Sequence, residues 1–134
     1  MSKWDVIVIG GGIWGLSCAY ACAVRGQRVA IFEAGKIGQG ASGGVVGAMS
    51  PNVPEGWNAM KQFQFEALVS ATGFWAEVDA KSGLPSGYGR IGRVMPITTA
   101  RERTLCDERA ENAKTLWQGQ YHWNVLDAHP LLPT

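Results

Sequence analysis

The sequence predicts an α/β protein built on a parallel sheet, and three observations carry that prediction. Val6 to Ile9 is an unbroken run of β-branched residues. Gly10, Gly11, Gly12 and Gly15 follow at once, and from Ile13 the apolar residues are spaced by threes and fours. A second apolar run, Arg28 to Phe32, then ends on the acidic Glu33.

The first run has no polar alternation, the pattern of a strand covered on both faces of a parallel sheet. Leu16, Ala19, Tyr20 and Ala23 mark one face of a helix reaching about Arg25, with Gly26 placed as its C-terminal stop. Arg28 to Phe32 predicts the second strand. In this strand, turn, helix, strand setting, Gly10, Gly12 and Gly15 fit the G-x-G-x-x-G of a Rossmann-like dinucleotide-binding domain, a three-layer arrangement around a parallel sheet. Gly10 allows the tight exit from the strand, Gly12 admits a pyrophosphate to the backbone, and Gly15 lets the helix sit close to the sheet. The positive helix end then faces the phosphates. Glu33, 18 positions beyond Gly15, is placed to accept hydrogen bonds from a ribose diol and to repel a 2′-phosphate, which disfavours NADP.

Glu33 to Glu55 carries six further glycines, Gly35, Gly38, Gly40, Gly43, Gly44 and Gly47. That is too many for a helix and too apolar for a solvated linker. An NAD-type domain would return promptly into a second helix; here a backbone-rich segment intervenes, able to lie along an extended ligand. Trp57 to about Ala80 predicts a long helix with Met60, Leu68, Ala71, Trp75 and Val78 in one stripe, ended by Ser82, Gly83, Leu84 and Pro85. Phe63, Phe65 and Phe74 are expected to pack in a core rather than form an aromatic pocket. Arg90 to Ile97 predicts a further strand, its arginines solvated or paired with local acids rather than gripping a carboxylate. Thr99 and Glu102 form a capping-box pattern for a helix to about Gln118, with Leu105, Ala113, Leu116 and Trp117 inward and the charges from Arg101 to Lys114 solvated. Gly119 closes it, and Asp127 reads as a turn or cap. His122 and His129 sit in no catalytic or metal-ligand spacing.

With 134 residues, 46% of them hydrophobic, the chain suffices for one modest core or pieces of two. Twelve basic against 11 acidic side chains leave a net charge of +1 without a basic block, so nucleic acid is not an expected partner. Cys18, Cys22 and Cys106 lack C-x-x-C spacing and are expected to be buried, reduced thiols. Asp5 and the glycines interrupt the N-terminal apolar run too early for a signal peptide. No segment approaches the ~18 uninterrupted apolar residues of a membrane span. A soluble, cytoplasmic protein is expected, with peripheral membrane association left open.

"VIVIGGGIWG", "FEAG" and "GQGASGGVVGAMSP" together resemble the N-terminal part of the D-amino-acid oxidase family of flavoproteins, which includes glycine oxidase, sarcosine oxidase and D-amino-acid dehydrogenase. "SGYGRIGRVMPI" and "NVLDAHPLLP" resemble the elements that open the substrate domain of those proteins. The resemblance implies FAD as cofactor. Gly10, Gly12, Ile13, Trp14 and Gly15 would surround its pyrophosphate; Glu33 would hold the adenosine ribose, with Ala34 and Gly35 beside the adenine. Gly40, Ala41 and Ser42 would return to the phosphates, and Gly47, Ala48 and Met49 would approach the isoalloxazine ring. Trp14 is bulkier than the aliphatic residue often found there, and Met49 suits core packing equally well.

The resemblance further implies oxidation of a small amine or amino acid by hydride transfer from its α-carbon to flavin N5, with oxygen or another carrier as electron acceptor. Residues 1–83 would be the Rossmann-like FAD-binding part and 84–134 the first elements of an α+β substrate domain. Family members are much longer, so the catalytic residues are expected beyond Thr134 and the chain alone to be an inactive N-terminal fragment. Its unpaired sheet edges predict dimerisation or aggregation. A non-catalytic dinucleotide-binding subunit needing a partner chain, and an NAD-dependent dehydrogenase, are the alternatives.

Overall fold

The computed structural model describes residues 3–45 and 47–128. His129 and the end of "NVLDAHPLLP" lie outside the described residues. The chain divides into two compact units, Met1–Ala48 and Met49–Thr134.

In the first unit β1 (Val6–Ile9) leads through α1 (Ile13–Ala23) to β2 (Val29–Phe32). The two strands are parallel, with Val6 opposite Val29 and Ile9 opposite Phe32. β-Branched side chains favour the strands, and Gly26, at φ 81°, lies between the helix end and β2. Below the pairing, Arg28 Nη2 donates to Asp5 Oδ1 at 2.7 Å, and Arg28 Nε and N both donate to Asp5 Oδ2 at 2.9 Å. This fork fixes the register from its open end.

β1 is not covered on both faces as its composition predicts. Its burial alternates: Val6 and Val8 are half-buried, whereas Ile7 and Ile9 are 58% and 88% exposed. Among the described residues the unit contains one α-helix, and a helix covers one face of a sheet; with a period of two, Ile7 and Ile9 share the other face with Phe32, also exposed. Cys18, on α1, is exposed rather than buried, while Cys22 and Cys106 are half-buried; all three are free thiols.

The second unit contains α2 (Ala59–Ser82) and α3 (Ala100–Leu116). Asn58 caps α2 by accepting from Lys61 N at 3.0 Å, and Gly83 ends it in left-handed backbone. Thr99 and Glu102 form the full reciprocal capping box of α3, as their spacing predicts. Phe65, Ala113 and Trp117 make the buried core, flanked by Trp57, Leu116, Tyr121 and Trp123. Phe65 meets Trp57 and Tyr121 edge to face, both at 6.0 Å between ring centroids. Of the three phenylalanines read as core, Phe65 alone is central; Phe74 packs on Trp75, and Phe63 is exposed. Met60 departs from its stripe and is exposed, one turn before the helix reaches the core.

The segment before α2 is tied down by polar groups. Pro54 is fully buried, and Lys61 Nζ donates to Glu55 O at 2.6 Å. Arg109 Nη2 and Nε donate to the two carboxylate oxygens of Glu55 at 2.8 and 3.0 Å, and its guanidinium lies over Trp123. Arg109 is therefore not part of a solvated charged face.

Arg90 to Ile97 is not a strand here. A strand exists through its ladder, and among the described residues no second chain segment pairs with it. Ile91 is 97% exposed in consequence. Arg90 is exposed, as its sequence context predicts, and it lies 4.2 Å over the Tyr121 ring and donates to Gln120 O.

Replacing Phe65 by alanine is expected to cost about 3–5 kcal/mol in urea unfolding of the second unit. Trp117 Nε1 is buried without a hydrogen-bond partner among the described residues. Trp117→Phe, which removes that donor, is accordingly expected to cost less than half as much as Trp117→Ala in the same measurement.

Candidate functional site

The glycine turn after β1 is laced to the turn after β2. Gly10 N donates to Phe32 O at 2.8 Å, extending the strand pairing by one bond, and Gly10 itself adopts φ 102°, which a side chain would strain. A Cβ on Gly15 would stand 1.9 Å from Gly10 O and 3.3 Å from Val8 Cγ1. The bare backbone at Gly15 is what allows α1 to start directly above the strand exit.

Glu33 follows β2 and faces back into the turn. Gly11 N donates to its Oε2 at 2.6 Å and Gly35 N to its Oε1 at 2.9 Å. These N–H groups, Gly35 foremost and then Gly11, hold the Glu33 carboxyl below the usual carboxylate range. Gly38 N donates to Gly11 O at 2.9 Å, so both polar groups of Gly11 are engaged by the turn after β2. Ser42, in the short 3-10 turn Ala41–Gly43 capped by Gly40, accepts from Ile13 N at 2.9 Å. It satisfies one of the N–H groups that the first turn of a helix leaves without an intrahelical partner.

Gly10, Gly12, Ile13, Gly15, Glu33, Gly35 and Ser42 thus meet around one turn, with Gly40 and Ala41 preceding Ser42 in the chain. A Cβ on Gly12 would lie 3.1 Å from Ser42 Oγ, which places those two side by side. Trp14 is 84% exposed at the start of α1. The Ala34 N–H also contributes to holding the Glu33 carboxylate; Gly47 and Ala48 are exposed, and Met49, half exposed, opens the second unit. Sequence reasoning passed over Gly11, an "x" of the motif. It is the one buried glycine of the turn, and the unbroken Gly10–Gly12 triplet was the available signal. In the second unit an open groove of about 770 Å³ is lined by Arg93, Thr98, Arg103, His122, Asn124 and Asp127 among others. Asp127 lies at a bend, in keeping with its reading as a turn residue, and pairs with Arg103 at 2.9 Å. Among the described residues no group of three or more side chains is arranged to ligate a metal, and no helix is long and apolar enough to cross a membrane.

A parallel βαβ unit with side-chain-free backbone at the helix start and a carboxylate at the end of the second strand defines a Rossmann-like dinucleotide-binding module. The residues fit such a ligand: no side chain stands at Gly12 at the helix start, and the Glu33 carboxylate keeps acceptor capacity beyond its bonds to Gly11 and Gly35. The sequence profile described as FAD dependent oxidoreductase, DAO, matches residues 5–133, and the chain belongs to that family. FAD is the cofactor of this family, which removes the NAD-dependent alternative.

The chain is 33% identical over 103 residues to glycine oxidase of Geobacillus kaustophilus, covering 75% of this chain and 27% of that protein. It is 44% identical over 63 residues to the tRNA 5-methylaminomethyl-2-thiouridine biosynthesis bifunctional protein MnmC of Nitrosospira multiformis, covering 47% and 10%. It is 46% identical over 48 residues to D-amino acid dehydrogenase of Helicobacter pylori, covering 36% and 12%. The chain therefore matches about a quarter or less of the length of these relatives. No solved structure matches it.

Because the folded carboxyl of Glu33 titrates below its unfolded value, its contribution to stability is complete above about pH 4.3 and is lost as pH falls through the folded value. The stability gap between the chain and Glu33→Gln, followed by urea midpoint from pH 7 to pH 3, is expected to close at the acid end. Gly15→Ala is expected to abolish the native seat of α1, seen as lost dispersion of its amide resonances.

Proposed function

We propose that this chain is the FAD-gripping part of a flavoenzyme that oxidises a small amine or amino acid. The observation that carries the reading is the Gly10–Gly15 turn closed by Glu33, in a chain of the FAD-dependent oxidoreductase family. The similarity to glycine oxidase and to D-amino acid dehydrogenase supports the substrate class.

In this reading Gly10, Gly12, Ile13, Trp14 and Gly15 bind the pyrophosphate, and Glu33 accepts hydrogen bonds from the adenosine ribose beside Ala34 and Gly35. Gly40, Ala41 and Ser42 serve the phosphates, and Gly47, Ala48 and Met49 approach the flavin ring. FAD, when bound, supplies the acceptor for a hydride from the substrate α-carbon, leaving an imine that water hydrolyses; oxygen or another carrier reoxidises it. Residues 1–83 form the cofactor-binding part of a three-layer domain, and 84–134 begin an α+β substrate domain.

The exposed apolar face of Ile7, Ile9 and Phe32 and the unpaired Arg90–Ile97 segment are completed by elements of a longer protein that also carries the catalytic residues. The isolated chain then dimerises or aggregates through them. The working environment is the cytoplasm, and nucleic acid is not a partner.

The chain is expected to retain FAD, read by quenching of flavin fluorescence. Glu33→Ala is expected to weaken binding about tenfold or more through the lost ribose contacts, and Gly12→Val to weaken it further by blocking the backbone. Unchanged affinity in both variants sinks the site assignment. In the longer protein, bleaching of the flavin by glycine, D-amino acids or N-methyl amino acids separates an oxidoreductase from a non-catalytic binding subunit.

A further inference from the structure

One carboxylate bridges the turn after β1 and the turn after β2. Glu33 accepts from Gly11 N at 2.6 Å across 22 residues and from Gly35 N at 2.9 Å within its own turn, joining the two segments through one side chain. Gly11 is buried, and a Cβ there would meet Ile37 Cγ1 at 3.1 Å and Glu33 Oε2 at 3.2 Å, so the two turns are already in close contact. Gly38 N completes the lacing by donating to Gly11 O.

We propose that Glu33 is a positioning residue for the phosphate-facing turn as well as a ribose acceptor: its carboxylate fixes Gly11 and Gly35 before the nucleotide arrives. The ligand half of this proposal rests on the dinucleotide reading above. A carboxylate is required because both N–H groups donate; a glutamine offers one acceptor oxygen and one NH₂, so one of the two glycines faces a donor. Preorganisation of this kind raises affinity by removing the ordering of the turn from the cost of binding. It acts on any ligand held by the turn, including one with no ribose.

That last point separates positioning from ribose contact, and inorganic pyrophosphate is the probe. Glu33→Gln removes a negative charge near an anion site, so by charge alone it would tighten pyrophosphate binding. Positioning predicts the opposite, a weakening of about fivefold or more by calorimetry. In the ligand-free chain the same variant is expected to speed amide hydrogen exchange of Gly11 and Gly35 about tenfold or more. The amides of the β1–β2 ladder would exchange as before, showing that the sheet is intact.

Unchanged exchange at Gly11 in Glu33→Gln overturns the proposal whatever the ligand does. Accelerated exchange together with equal or tighter pyrophosphate binding overturns the claim that the turn is set for the ligand. If the unaltered chain binds no pyrophosphate, the dinucleotide reading fails and the ligand half falls with it, while the exchange experiment still decides whether Glu33 fixes the turn.

Discussion

At the exit of β1 the helix comes so near the strand that only hydrogen fits: a Cβ on Gly15 would stand 1.9 Å from Gly10 O. The rest of the first unit depends on that approach. With α1 seated there, Val6 and Val8 find cover and the first-turn N–H groups open beside the strand ends. The parallel register does the remainder. Ile9 is opposite Phe32, so the residues that follow, Gly10 and Glu33, emerge as neighbours and the carboxylate reaches the turn from the adjacent strand end.

The second unit is stabilised by other means. Its core is aromatic, with Trp57, Phe65, Trp117, Tyr121 and Trp123 in contact and edge-to-face pairs each adding about 0.5–1.5 kcal/mol beyond their buried area. Two arginines lie on this cluster by their flat faces, Arg90 on Tyr121 and Arg109 on Trp123. Arg109 also clamps Glu55, and through it the segment around Pro54 that leads into α2. These two guanidinium groups are thus tied into the packing of the unit.

The elements that could be read from the sequence are those fixed by local signals. β1 follows from four β-branched residues, the α3 start from Thr99 and Glu102, and the α2 end from Gly83, each within a few residues of the signal. The turn residues Gly10, Gly12, Gly15 and Glu33 were legible because each spacing has its own steric or hydrogen-bonding reason. What sequence did not disclose depends on partners distant in the chain. Arg90 to Ile97 has strand composition, yet a ladder needs a second segment. Arg109 sits among charges that look solvated, and only the fold brings Glu55, 54 positions away, against it. Gly11 was missed because its burial arises from Ile37 and Glu33 closing over it.

The bonds that close the first unit join residues no more than 29 positions apart: Asp5 with Arg28, Gly11 with Glu33 and Ile13 with Ser42. Loops of that length close at small entropic cost, and contacts so local in sequence form early. During synthesis the nucleotide-facing turn therefore has all its fastening groups as soon as Ser42 has left the ribosome, before the aromatic cluster of the second unit has its Trp117 and Tyr121. The order in which the chain emerges is thus the order in which the fastening groups of its two units become available, those of the first before those of the second.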